Sequence, residues 1–238
     1  MKTDSSAPLS GARDETQGGV SKRMLQVVGQ FVLLVAILAI TSGKPRWIWM
    51  WVFVGAGLVI LAINAILLPR DLISERGQPK GNVKAWDRRL TSLAVIAGLA
   101  QPVVAGLDER LGWSRQLSVP VRILGVVAFL LSQLLFTWAM TSNRFFSTAV
   151  RIQDDRGQSV AQGGPYRYVR HPGYVGHILS GVATAVLLGS LWALVPAVVS
   201  GALLVVRTGL EDRMLCAELA GYEAYAHRVR YRLLPGIW

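Results

Sequence analysis

Residues 174–206 read YVGHILSGVATAVLLGSLWALVPAVVSGALLVV, 33 positions without one formal charge. A single helix across the hydrocarbon core of a bilayer needs about 20 apolar residues, so this run is too long for one crossing and predicts two. Gly189, Ser190 and Pro196 offer the places to turn. The expected element is a tight helical hairpin whose arms hold about 15 residues each, about 22 Å long. Arms that short require shelter from neighbouring helices.

Upstream, the runs 24–42, 47–68, 90–107 and 119–140 are each of spanning length or nearly so. The fold class expected is therefore all-α: a polytopic integral membrane bundle of about six membrane segments. Gln101 and Pro102 lie within the third run, and Pro120 and Arg122 at the start of the fourth. Polar and kinking residues at such depth are expected to face other helices rather than lipid. Residues 1–21 read as a disordered polar tail, and 22–162 as four transmembrane helices with an amphipathic segment over 69–89. Residues 163–238 read as a loop, the hairpin and a C-terminal helix.

Composition agrees. The 238 residues are 52% hydrophobic and 16% charged, with eight Trp and a net charge of +11, against about 25% charged residues in an average soluble domain. No basic stripe with interleaved stacking aromatics appears, so membrane lipids rather than nucleic acid are the expected partner of the positive charge. With the N-terminus inside, twenty of the 25 Lys and Arg residues fall on the inner face. Lys44, Arg46, Arg110, Arg115 and Arg122 fall outside. The positive-inside bias thus predicts N-in, C-in topology in the cell (inner, cytoplasmic) membrane. A single Cys216 excludes an intramolecular disulfide, and His171, His177 and His227 make a poor metal pattern, so no metal is expected.

Two inner-face segments flank the hairpin and carry the candidate chemistry. The first, residues 163–177, is punctuated by Gly and Pro and enters a helix after Pro172. A helix start offers free N–H groups and partial positive charge to a carboxylate. Gly173 and Gly176 permit close backbone approach, Arg170 and His171 add donors, and the tyrosines add faces for a cation or an adenine ring. An interfacial anchor would use similar residues. In the second segment, Arg207 and Glu211 stand one helical turn apart, and Glu211 and Asp212 are adjacent carboxylates at the bilayer boundary, costly unless paired or bound. A salt-bridged helix exit and a ligand contact through Glu211 both satisfy that pattern. His177 and Cys216 read as packing residues, and His227 as surface.

Those residues carry a resemblance. The string Gly164-Pro165-Tyr166-Arg167-Tyr168-Val169-Arg170-His171-Pro172-x-Tyr174-x-Gly176 is followed by Arg207-x-x-x-Glu211-Asp212 and Gly221-Tyr222-x-x-Tyr225. A tail, Val229-Arg230-Tyr231-Arg232-Leu233-Leu234-Pro235, completes it. Together they resemble the membrane-embedded isoprenylcysteine carboxyl methyltransferases and their bacterial and phospholipid N-methyltransferase relatives. The stretch 68–90 resembles the amphipathic segment of the bacterial branch.

The resemblance implies S-adenosylmethionine as cofactor, held at the cytoplasmic face by Tyr168, Arg170, His171, Pro172, Tyr174, Gly176 and His177, with Glu211 and Asp212 closing the pocket. Many members have two glutamates where this chain has Glu211-Asp212. It further implies a lipophilic acceptor (isoprenoid, fatty acyl or phospholipid) contacted by Arg207, Tyr222 and Tyr225. Arg207 and Glu211 are the candidate catalytic residues: an arginine for a carboxylate acceptor, a base for an amine. An NADPH-dependent sterol-reductase-like domain and a non-catalytic scaffold or transporter are the rival readings. Gly173 and His177, standing where the reductase pattern has Asn and an acid, speak against the first; polar residues gathered at one face rather than near the midplane speak against the second.

Overall fold

A computed structural model describes the backbone of residues 7–78 and 81–238, and side chains from residue 17 on. Among the described residues the chain is all helix and loop, with no strand. The long helices are α1 (Ala7–Ser42), α2 (Ile48–Leu67), α4 (Ala85–Leu111), α5 (Val119–Thr141) and α7 (Leu194–Glu218). Shorter ones are α3 (Arg70–Gly77), α6 (Pro172–Leu188) and α8 (Tyr222–Arg228). Five of these, with α1 counted from Gln17, are long and apolar enough to cross a bilayer, and α6 is a sixth, shorter apolar helix. The protein is a multi-pass membrane protein. In lipid every backbone N–H and C=O must be satisfied within the segment, so apolar runs of this length have no alternative to the helix.

The hairpin is present. Gly189 ends α6 in the left-handed conformation (φ 77°), and a Cβ there would run into the Arg122 guanidinium. Its second arm differs from expectation: α7 runs unbroken for 25 residues, through Arg207 and Asp212. The 17-residue α6, about 25 Å long, is sheltered by α5, α7, α4 and α2. Close packing against α5 rests on two glycines. A Cβ on Gly125 would come 2.5 Å from the Leu187 backbone N, and one on Gly176 2.7 Å from the Ser132 carbonyl oxygen.

The polar residues inside the spans face other helices. Gln101 Nε2 donates to the Gly181 carbonyl of α6 at 2.6 Å. Arg122, 3% exposed, lies over the Trp49 ring. Thr137 donates to Asn64 Oδ1 at 2.8 Å. Leu58, Val59, Ile66, Ile123 and Leu131 form part of an exposed apolar band, as lipid-facing positions should.

Two boundaries are corrected. The tail expected over 1–21 is helical from Ala7; its Gly19 lies against Ser74 and Arg23 against Gly77, so docking on α3 extends the helix beyond its apolar run. Residues 1–6 lie outside the described ones. The amphipathic segment expected over 69–89 divides: only α3 is a separate helix, and residues 85–89 open α4, because Asp87 is neutralised by a partner in α7 and can enter the bundle.

One end of the bundle is fastened by Lys44–Glu109 (2.7 Å) and by Asp108, which accepts from Ser114 and Ser190. The other end carries α3, α8, the loop 142–171 and the C-terminal tail. Replacing Gly125 by Val is expected to destabilise the bundle by about 1–3 kcal/mol, because a backbone cannot step aside for the added methyls. A thermal melt in detergent checks it, and an unchanged midpoint would contradict the α5–α6 contact described.

Candidate active site

The loop end of the bundle contains a cavity of about 550 Å³. One wall is polar, built by the start of α6, the end of α7 and α8: Arg170, His171, Tyr174, Glu211, Tyr222 and Tyr225. The opposite wall is apolar, from α1 and α4, and includes Leu33, Leu34, Ala94, Val95 and Leu99. Leu33 and Val95 line the cavity and are themselves exposed, so the apolar wall is open along this side. Spacing between α1 and α4 explains the opening. At one end a Cβ on Gly106 would strike Thr41, whereas a Cβ on Gly98, beside the cavity, would meet nothing within 4 Å.

Two buried carboxylates hold the polar wall. Asp87 Oδ1 accepts from Arg207 Nε at 2.6 Å, and its Oδ2 accepts from the Val150 backbone N–H at 2.8 Å. Arg207 also donates to the Thr148 carbonyl at 3.2 Å. One ion pair thereby ties α4, α7 and the loop that roofs the cavity. Gln153 sets the roof's shape, donating to the Phe145 carbonyl at 2.7 Å and accepting from Arg156.

Asp212 is the second. Its Oδ1 lies 3.0 Å from Arg170 Nε and 3.4 Å from His171 Nε2, and accepts from Tyr222 OH at 2.9 Å. Its Oδ2 accepts from Arg232 Nε at 2.8 Å. The C-terminal tail completes this cluster, since the carbonyls of Tyr231 and Arg232 accept from the backbone N–H groups of Arg170 and His171. Burial, then the neighbouring Asp212 carboxylate, raises the Tyr222 hydroxyl well above its ordinary pKa, so it remains a donor at neutral pH.

Glu211 faces the cavity and accepts from Tyr174 OH at 2.5 Å. The Tyr174 and His171 rings stack, 5.8 Å between centroids and 9° apart, and the Arg207 guanidinium covers the Tyr174 ring. His177 lines the cavity with its ring 6.3 Å from Phe136.

Arg170, His171, Tyr174, His177, Arg207, Glu211, Tyr222 and Tyr225 thus come together around one cavity. The remaining candidates do not line it. Tyr168 is 65% exposed, because the 3₁₀ turn Gly164–Arg167 buries Pro165 and Tyr166 and turns the next side chain outward. Pro172 is buried at the start of α6, and Gly176 is spent on the contact with α5. Asp212 is one residue, or about 100° of helix, from Glu211, so the adjacent carboxylates look in different directions. Of the salt-bridged helix exit, one half is present, Asp212 pairing with Arg170 and Arg232, whereas Arg207 pairs with Asp87 and Glu211 accepts from Tyr174. Cys216 is exposed rather than packed inside. Asp87, Arg232, Arg76 and the roof over 145–161 carried no assigned role in the site from sequence, although Asp87 gave a signal as an acid beside an apolar run.

The model of the isoprenylcysteine carboxyl methyltransferase (ICMT) family matches residues 123–217. Residues 123–217 thus carry the pattern of the ICMT family. The ICMT match runs from α5 through the roof and α6 to the end of α7, and takes in Arg170, His171, Tyr174, Arg207 and Glu211. The match points to a membrane methyltransferase. No curated protein matches the chain.

Removing Asp87 by an Asp87→Leu change leaves a buried guanidinium without its carboxylate, at an expected cost of about 3–5 kcal/mol. The Asp87→Leu, Arg207→Met double variant should recover most of that loss. Thermal melts of the three proteins check it, and equal melting of the single and double variants would contradict the coupling.

Proposed function

We propose that this ICMT-family protein transfers a methyl group from S-adenosylmethionine to a lipophilic acceptor at the cytoplasmic face of the inner membrane, with both termini in the cytoplasm. The observation that carries the reading is the two-walled cavity, polar toward the loop end and apolar toward a side opening between α1 and α4. The twenty-to-five distribution of basic residues supports the orientation.

The polar wall fits the cofactor. A cavity of this size lies within the range of small-molecule sites, about 300–1,000 Å³. The cofactor presents a carboxylate, an ammonium, a ribose diol, an adenine and a sulfonium. Against these stand the donors of Arg170 and His171, the Glu211 carboxylate, and the aromatic faces of Tyr174, Tyr222 and Tyr225, which suit a cation or a base. Bound there, S-adenosylmethionine supplies a methyl group already activated on a positive sulfur.

The protein's own contribution is placement, an entropy trap rather than an elaborate proton relay. Asp212 fixes Arg170, His171 and Tyr222 from behind, and Asp87 with Arg207 holds the roof that keeps water out. A carboxylate acceptor has no proton to lose and needs no base. An amine acceptor would pass its proton to Glu211 or His171.

S-Adenosylhomocysteine is expected to bind the purified protein saturably by calorimetry, and Glu211→Gln should weaken it about tenfold, the worth of one hydrogen bond to a charged group. NADPH should show no saturable heat. Saturable NADPH binding without S-adenosylhomocysteine binding would overturn the methyltransferase reading in favour of a reductase. Binding of neither would leave a scaffold.

A further inference from the structure

The outer face of α7 leads away from the cavity to a segment that the site does not use directly. Val198, Ala202, Val205 and Gly209 follow one another at intervals of four, three and four residues, so they form one stripe along the helix. The three side chains of that stripe are apolar and exposed, on a helix long and apolar enough to span a bilayer. They belong to the lipid-facing band. At Gly209 the stripe has no side chain, and the Trp238 ring occupies the place: two of its ring carbons lie 3.8 Å from where a Cβ on Gly209 would stand. Arg207, two residues earlier, turns inward to Asp87, so Gly209 stands at the depth where the apolar span gives way to charge.

A tight turn brings Trp238 there. Its carbonyl accepts from the backbone N–H groups of Arg232 and Leu233 at 2.9 and 3.1 Å, and its own N–H donates to the Leu234 carbonyl at 3.2 Å. Gly236, at φ 83°, supplies the left-handed conformation that closes the turn. Residues 232–238 are thereby folded into a hook whose apolar members stay uncovered: Ile237 is 79% exposed and Leu234 about half exposed. Beside them stand the Trp238 ring and the exposed Tyr231 and Arg230. That is the composition of a membrane–water interface, where aromatic rings sit at headgroup level and arginines meet phosphate. The same hook is built into the polar wall. The Arg232 guanidinium lies over the Trp238 ring at 4.9 Å, and its Nε is 2.8 Å from Asp212. Asp212 in turn holds Arg170 and His171, whose backbone N–H groups donate to the carbonyls of Tyr231 and Arg232.

We infer that residues 234–238 form a hook seated in the headgroup–acyl boundary of the bilayer beside α7, and that Trp238 couples this seat to the polar wall through Arg232 and Asp212. A lipid surface is the occupant that the position selects, because the hook continues the exposed apolar stripe of α7 where that stripe reaches the boundary. Leu234 and Ile237 enter the acyl region, Arg230 stays with the headgroup phosphates, and the Trp238 ring lies between lipid and Arg232. Trp238 and Arg232 are positioning residues, acting on the site through Asp212. The seat of the hook stands without the methyl-transfer reading; only the effect of Trp238 on cofactor affinity rests on it.

The test uses the full chain with Cys216→Ser, so that one introduced cysteine carries a bimane fluorophore: Ile237→Cys in the hook, or Asp154→Cys on the exposed roof as a control. Each protein is placed in nanodiscs of phosphatidylcholine and phosphatidylglycerol. Quenching by a lipid nitroxide near the top of the acyl chain is compared with quenching by aqueous iodide. The ratio of nitroxide to iodide quenching is expected to be severalfold higher at 237 than at 154. A ratio no higher at 237 would overturn the seat. Protection of 237 from both quenchers would overturn it too, since protein, a second copy of this chain included, would then cover the hook. For the coupling, Trp238→Ala should weaken S-adenosylhomocysteine binding about fivefold, the order of one cation–π contact, and Trp238→Phe should restore most of it. Unchanged affinity in Trp238→Ala, or no recovery in Trp238→Phe, would overturn the coupling. Failure of S-adenosylhomocysteine to bind the unaltered protein would sink the methyl-transfer reading instead, and the quenching ratio still decides the seat.

Discussion

The ion pair between Arg207 and Asp87 is the constraint on which the loop end of the molecule depends. Both charges lie at the boundary of an apolar bundle, where neither would be tolerated alone. Together they fasten α7 to α4, and their remaining donor and acceptor atoms take the Thr148 carbonyl and the Val150 N–H. A long loop is thereby held over a cavity that lipid or water would otherwise fill. The neutralisation has a chemical consequence as well. It takes up most of the Arg207 charge that would otherwise meet an acidic ligand.

Asp212 does the equivalent work on the other wall. It sits one residue from Glu211 on α7, yet the helical rotation sends one carboxylate into the cavity and the other into a cage of Arg170, His171, Tyr222 and Arg232. A short acidic side chain suits that cage because its four partners converge from α8, the tail and the start of α6 onto the flank of α7. The division of labour is positional: Glu211 is available to a ligand, and Asp212 holds the wall that a ligand would meet.

Much of the bundle was legible in sequence because lipid leaves a chain few choices. The uncharged run over 174–206 had to turn once, and Gly189 is where it does. Gln101 and Arg122 had to face other helices, and they do. The candidate site was legible in part. Arg170, His171, Tyr174 and Glu211 converge as the flanking segments suggested, since the hairpin brings its two ends together. What escaped were pairings set by distance in the chain. Asp87 and Arg207 are 120 residues apart, and no local spacing announces their contact. Arg76 looked like one more basic residue on a surface segment until α3 was seen to lie against α1. The outward turn of Tyr168 likewise depends on which neighbour of a short 3₁₀ turn is buried.

The central claim is that a methyl group moves from a water-borne cofactor to a lipophilic acceptor, inside one cavity. The most direct measurement incubates the purified protein with methyl-labelled S-adenosylmethionine and a total membrane lipid extract, then counts label in the organic phase. Label carried into the organic phase, and much reduced when Glu211→Gln replaces the unaltered protein, is the predicted result, because transfer to a lipophilic acceptor takes the methyl group out of water. Label that remains in the aqueous phase, or that reaches the organic phase equally with Glu211→Gln, would contradict it.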